Sequence, residues 1–267
     1  MAMPMIRIIL LMLLLICCQA NAQAAPGTVV VAPGSAADFT LAAPLPDPAA
    51  KRMIFSTAYI AYLADAATGP GSVPLTDTSG SPLGPRLSHG DWCHAAMEGT
   101  VSVREAGGGF RTFNFAKTGQ NEITDCKDVF TKVSASVLAG TNRVTWAAVP
   151  PDAPYGLGVA SFRLVPFRSL AVDASVFHVG TVLFIPSLRG TPITLPDGRQ
   201  AMHDGFVMAA DRGGAIKGAH IDFFKGPNRS DAVPAGLASD AQHTIPAFIV
   251  SDPTITAALR ALHQRGG

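Results

Sequence analysis

Apolar and polar positions along the chain alternate in short runs broken by Gly, Pro, Asn and Asp. That is the pattern of half-buried strands, not of long amphipathic helices. RMIFSTAYIAYL (52–63) is β-branched and aromatic and opens the folded body. Strands are predicted for GTVSVRE (99–105), GFRTFNFA (109–116), KVSASVLA (132–139), NRVTWAAV (142–149), GVASFRLV (158–165), RSLAVD (168–173) and GTVLFIP (180–186). FVMAAD (206–211) and AHIDFF (219–224) are two more and flank a Gly-rich loop, and HTIPAFIVSD (243–252) gives the last. The stretch 68–91 is turn-forming throughout, and residues 23–50 read as an extended Ala/Pro-rich lead-in with one short strand at 28–31. One helix is expected, over the tail: Asp252 suits the N-cap, Pro253 the first helical position, Ile255, Leu259 and Leu262 share a face, and Gly266 stops it. So many short strands would leave open edges unless they close on themselves, so the fold class is mainly β, with a closed or nearly closed barrel.

Composition sharpens this picture. With 267 residues, 48% hydrophobic and 15% charged, the chain can bury a sizeable core in one or two domains. A net charge of +1 gives no electrostatic case for nucleic acid. Arg7 followed by the apolar run from Ile8 to Ile16, then Ala20-Asn21-Ala22, reads as a signal peptide cleaved near Ala22. The run is too short for a stable membrane span. Cys17 and Cys18 admit a lipoprotein reading, but Ile16 or Cys17 stands where a small residue should precede a modified cysteine. Beyond the signal only Cys93 and Cys126 remain, and in an exported protein they are expected to form a disulfide. Such a loop closure stabilises by roughly 3–4 kcal/mol in the chain-entropy model.

The candidate chemistry lies in DRGGAIKGAHIDFF (211–224), which sets Asp211, Lys217 and Asp222 around a loop rich in glycine. It is not a phosphate loop, because Lys217 precedes Gly218 and no Ser or Thr follows. Two carboxylates on partly buried strands would hold a proton towards neutral pH, as cleavage of a glycosidic bond requires. Gly213 and Gly214 would allow positive φ and close approach of a polymer, and Lys217 would neutralise one aspartate or hold a substrate group. A solvated β-turn with a surface lysine is the plainer reading of the same residues. HGDWCH (89–94) resembles a metal cluster on paper, but it lacks the spaced ligand pairs of zinc sites, and no metal or cofactor is expected. There is no Gly-x-Ser-x-Gly elbow to support a serine hydrolase. Tyr59, Tyr62 and Trp92 are candidates to stack on sugar faces, with core packing the alternative.

RSLAVDASVFHVGTVLFIP followed by FVMAADRGGAIKGAHIDFFKG resembles the three-aspartate (3D) domain of the membrane-bound lytic murein transglycosylase A family, and FSTAYIAY resembles the family's opening strand. The resemblance is specific around 168–226. It implies a six-stranded double-psi β-barrel over 52–230, with an inserted β-rich segment at about 99–160 and a C-terminal strand and helix over 231–267. It implies a lytic transglycosylase that cleaves the β-1,4 bond between N-acetylmuramic acid and N-acetylglucosamine in peptidoglycan glycan strands and forms a 1,6-anhydro ring. Asp222 would be the catalytic acid, with Asp211 and Asp173 as the other two aspartates of the pattern. Thr57, Tyr59, Thr181, Gly213, Gly214 and Lys217 would contact substrate. Arg212, and His178 before Gly-Thr, depart from the family pattern and bear on substrate preference. The location implied is periplasmic or secreted. A wall-binding or wall-loosening module using the same groove without turnover is the alternative, and a toxin or remodelling factor acting on another glycan is a further one.

Overall fold

The computed structural model describes residues 36–45, 47–105 and 109–265. The expected signal peptide, the strand at 28–31 and the helix stop at Gly266 lie outside them. The described residues hold thirteen strands and three α-helices: β1 (Lys51–Asp65), β2 (Val73–Thr76), β3 (Pro82–Leu87), α1 (His89–Glu98), β4 (Thr100–Arg104), β5 (Phe110–Thr118), α2 (Ala135–Thr141), β6 (Val144–Ala148), β7 (Ser169–Val172), β8 (Val182–Phe184), β9 (Pro192–Thr194), β10 (Gln200–Met202), β11 (Phe206–Asp211), β12 (His220–Asn228), β13 (Ile245–Ile249) and α3 (Pro253–His263). Mainly β, with a terminal helix, is the class expected from the alternation.

The large sheet runs β12-β7-β11-β8-β13-β1-β4-β5-β6, and β1 also pairs with β12. The first six strands therefore form a closed ring of pairings, in which β1–β12 and β7–β11 are parallel. The ring removes its own edges. Its interior is filled by Ile54, Leu170, Leu183, Val207, Ile221 and Phe223. Leaving the ring, β1 continues into a second lobe, where it pairs with β4 and then β5 and β6 follow. There Ile60, Tyr62 and Ala64 pack with Trp92, Val101, Phe113 and Trp146 in a separate core. One strand of fifteen residues thus serves both cores.

Just before β7 and β11, Arg168 and Asp204 are buried, and Arg168 donates to both carboxylate oxygens at 2.6 and 2.8 Å. Arg168 also donates to Ala36 O and stacks on Phe39, while Leu41 N donates to Asp204. The pair fastens the lead-in segment 36–41 to the starts of β7 and β11.

Several expectations are corrected. KVSASVLA is not a strand: Ser134 Oγ accepts from Val137 N and starts α2. GVASFRLV contains no strand. Ala160 and Ser161 sit at φ +54 and +60, which breaks an extended run. The stretch 68–91 is not all turn, because it holds the β2–β3 hairpin and the start of α1. HGDWCH is the first half of that helix, capped by Ser88 and closed by Gly99 at φ +75. The short pair β9–β10 was not foreseen.

Cys93 on α1 and Cys126 in the β5–α2 connection are joined in a disulfide. Thiol titration of the unfolded, unreduced mature protein should find no free cysteine; two reactive thiols would refute the pairing. Among the described residues no helix is long and apolar enough to cross a membrane.

Candidate functional site

Register puts the site together. Thr57 on β1 pairs with Asp222 on β12, Asp222 pairs with Ala171 on β7, and Ala171 pairs with Asp211 on β11. Paired residues share a face, so Thr57, Asp222, Ala171 and Asp211 form one row across the outside of the ring. Ile221 and Phe223, the neighbours of Asp222, point into the ring core.

Asp211 would not belong to this row under strict alternation. Ala209 faces the interior, so Asp211 two residues on should do the same. The β7–β11 register shifts between Ala209 and Asp211, which makes Ala210 an extra residue. That bulge turns Asp211 to the outer face beside Asp222. Ala171, the small residue between them, leaves the space above the row open.

Asp222, Ala171 and Asp211 of this row line a groove of about 900 Å³ between the ring and the second lobe. The ring side contributes Ala58, Tyr59, Ala171, Asp211, Gly213 and Asp222, and the lobe side contributes Glu98, Asn114, Phe115 and Thr141 among others. The segment 154–164 crosses between the two. Asn114 holds it by donating to Leu157 O and accepting from Leu157 N. Gly158 lies so close to β11 that a Cβ there would fall 2.2 Å from Ala210 O, so glycine is required by space.

Burial pushes the Asp211 carboxyl up to about 6, and the charge of Asp222 adds to the rise. Hydrogen bonds from Arg212 N and from Tyr59 Oη, at 2.8 and 3.2 Å, oppose it. Burial also raises Asp222, against a 2.8 Å hydrogen bond from Thr57 Oγ1 and the charge of His220. With its hydroxyl hydrogen directed at Asp222, Thr57 Oγ1 accepts from His220 Nε2 at 2.9 Å. Burial, then the charge of Asp211, raise Tyr59 well above the usual phenol range, so it stays protonated and keeps donating to Asp211. Burial pushes Glu98 up to about 7, with the charges of Asp231 and Asp222 adding to it; Ile60 N donates to it where the β1–β12 register shifts.

The third aspartate does different work. Gly218 N donates to Asp173, as do Ser175 N and Ser175 Oγ. Those bonds, with the charge of Lys217, hold Asp173 down at about 2. Asp173 therefore ties the Gly-rich loop to the end of β7, and it is the aspartate on which the charge of Lys217 acts. The positive φ in that loop falls at Gly218 (+62), not at Gly213 or Gly214 as expected. Gly213 instead leaves room for the Ile216 side chain, which a Cβ would meet at 2.5 Å. Thr57, Thr181, Gly214 and Lys217 do not line the groove; Thr57 instead reaches it only through its bond to Asp222, and Thr181 O accepts from Ala209 N.

Trp92 and Tyr62 are buried in the second core and offer no face to a sugar. His94 stacks on Tyr62, and His89 Nε2 lies 2.8 Å from Asp125 O. Among the described residues no group of three or more metal-ligating side chains is assembled. Sequence reasoning missed Glu98 and Phe115. Both sit on the lobe wall, and the only signal was a carboxylate closing a helix just before Gly99, where the helix dipole disfavours it.

No curated protein matches the chain. Among solved structures, E. coli MltA with bound chitohexaose is similar at a TM-score of 0.48, with 18% identity over 74% of this chain and 71% of that one. The membrane-bound lytic murein transglycosylase of Agrobacterium tumefaciens gives 0.45 and 16%, over 76% and 75%. The lytic transglycosylase LtgG of Burkholderia pseudomallei gives 0.41 and 19%, over 75% and 71%. The family model of the 3D domain matches residues 168–245. The chain thus carries a 3D domain over those residues, and Asp173, Asp211 and Asp222 all lie inside it.

Proposed function

We propose that this protein is a peptidoglycan lytic transglycosylase, built on the six-strand ring as a double-psi β-barrel. The observation that carries the reading is the row Thr57–Asp222–Ala171–Asp211 facing an open groove from within a 3D domain. Two half-buried carboxyls with raised proton affinity, flanking Ala171 in an open groove, suit glycosidic cleavage. The disulfide supports an exported, oxidising location.

Asp222 in its acid form protonates the glycosidic oxygen, and the bond from that oxygen to C1 of the muramic acid breaks. The resulting carboxylate takes the proton from the C6 hydroxyl, whose oxygen bonds to C1 and closes the 1,6-anhydro ring. Asp222 ends with its proton restored and no water is consumed. The nucleophile belongs to the substrate, so proximity replaces a second attacking carboxylate. Thr57 fixes one oxygen of Asp222 and leaves the other to the substrate. Asp211 acts by its charge, and Asp173 holds the loop that leads from Asp211 to Asp222.

The reading is tested by incubating purified mature protein with sacculi. Release of soluble muropeptides one water lighter than the hydrolysis products is expected. Folded protein that binds sacculi without releasing any would favour the non-catalytic wall-binding module.

Asp211 makes a separate forecast. The two carboxyls are coupled: the charge of Asp222 raises Asp211, and by reciprocity a charge on Asp211 opposes loss of the proton from Asp222. Asp211→Asn removes that charge while keeping an acceptor for Tyr59 and Arg212. Asp222 then loses its proton at lower pH, so the alkaline limb of the rate profile should move down, by up to about one unit. An unshifted limb in a normally melting variant would reject the electrostatic role.

A further inference from the structure

Phe115 is 47% exposed, on a strand whose preceding same-face residue, Phe113, is buried in the second core. Alternation would bury Phe115 too. The β5–β6 register shifts between Phe115 and Lys117, and the ring instead lines the groove. Its backbone is held firmly, because Phe115 N donates to Gly99 O at 2.7 Å. Gly99, the left-handed stop of α1, has its bare α-carbon against Phe115: a Cβ placed there would lie 3.8 Å from the Phe115 Cβ. Beside the ring, Thr118 and Thr141 line the groove, and Glu98 closes the helix next to it. A large apolar ring kept wet among polar groups, opposite a row of acids, loses hydrophobic stabilisation unless a ligand covers it.

We infer that Phe115 is a sugar-stacking platform on the second lobe, which holds a pyranose ring of the glycan strand against the wall opposite Asp222, with Glu98 as the neighbouring hydrogen-bonding group. The apolar C–H face of a pyranose fits the electron-rich face of a phenyl ring, and its equatorial hydroxyl and acetamido groups then point sideways to polar partners. The fused position matters: the platform comes from the lobe and the acid from the ring, so a strand bound by both is fixed in register relative to Asp222. This inference rests on the glycan reading of the groove. It adds a specificity-determining residue that none of the three aspartates supplies.

The test uses the full mature chain in an Asp222→Asn background, so that the ligand is bound but not cut. The probe is peptide-free glycan strands from sacculi, measured by calorimetry. Asp222→Asn protein should bind. Adding Phe115→Ala should weaken binding on the order of tenfold, as loss of a buried ring implies, and Phe115→Trp should retain it. In an Asp222-intact enzyme, Phe115→Ala should raise KM with little change in kcat. Equal binding by the Ala and Phe proteins, with unchanged melting temperature, overturns the platform and leaves the glycan reading standing. No binding by the Asp222→Asn parent overturns both.

Discussion

Asp222→Asn should abolish release of soluble muropeptides while the protein folds normally. The amide has the size of the carboxyl and can still accept from Thr57 Oγ1, so the row and the Ile221–Phe223 core beneath it stay in place. What it lacks is a proton to give to the leaving oxygen and a carboxylate to take one from the C6 hydroxyl. Loss of a group used twice in one turnover should exceed the usual general acid–base contribution, on the order of 10² to 10⁴ in kcat. Because burial raises Asp222, the wild-type carboxyl keeps its proton to higher pH than a free aspartate, and its function depends on that environment. Single-turnover digestion of sacculi, with melting as a fold control, reads the loss. Wild-type-like turnover by a normally melting variant would falsify the assignment.

The largest effect on stability should come from Arg168→Met. The guanidinium is fully buried, pairs with both oxygens of Asp204 and also donates to Ala36 O and Phe206 O. Methionine fills much of the volume but leaves Asp204 charged and buried, supported only by Leu41 N and Phe206 N. Stranding one partner of a buried pair costs about 3–5 kcal/mol, which lowers the melting temperature of a chain this size by about 10 °C. The companion Arg168→Met, Asp204→Leu removes both charges and should recover part of that loss. A single variant that melts within about 2 °C of wild type would contradict this account.

Much of the ring was legible because its strands are short, β-branched and punctuated. RSLAVD, FVMAAD and AHIDFF fall on β7, β11 and β12. The pairing of Asp211 with Asp222 across Ala171 was not legible. It depends on one extra alanine in β11, and Ala209-Ala210 carries no mark of a bulge. The second lobe was read less well for a related reason. KVSASVLA alternates like a strand, yet a serine cap and the pull of Leu138 into the lobe core make it helix. The start of α1 did carry a signal, since Ser88 is a serine N-cap whose Oγ accepts from Asp91 N and donates to Asp91 Oδ2, but the surrounding Gly, Pro and Ser read as turn. Glu98 and Phe115 face the aspartates only because two lobes fold against each other, and no local pattern encodes that.

The continuity of β1 has a consequence for how the groove works. Enzymes with a cleft between two bodies often close it by bending a short connector, and the substrate then bears the cost of assembling the site. Here the connector is a strand hydrogen-bonded to β13 and β12 along its first part and to β4 along its last. Bending it would break ladders in both cores at once. The width of the cleft is therefore set when the chain folds, not when a ligand arrives. A preorganised cleft loses little entropy on binding, which suits an extended ligand laid along it better than a compact one that needs to be enclosed.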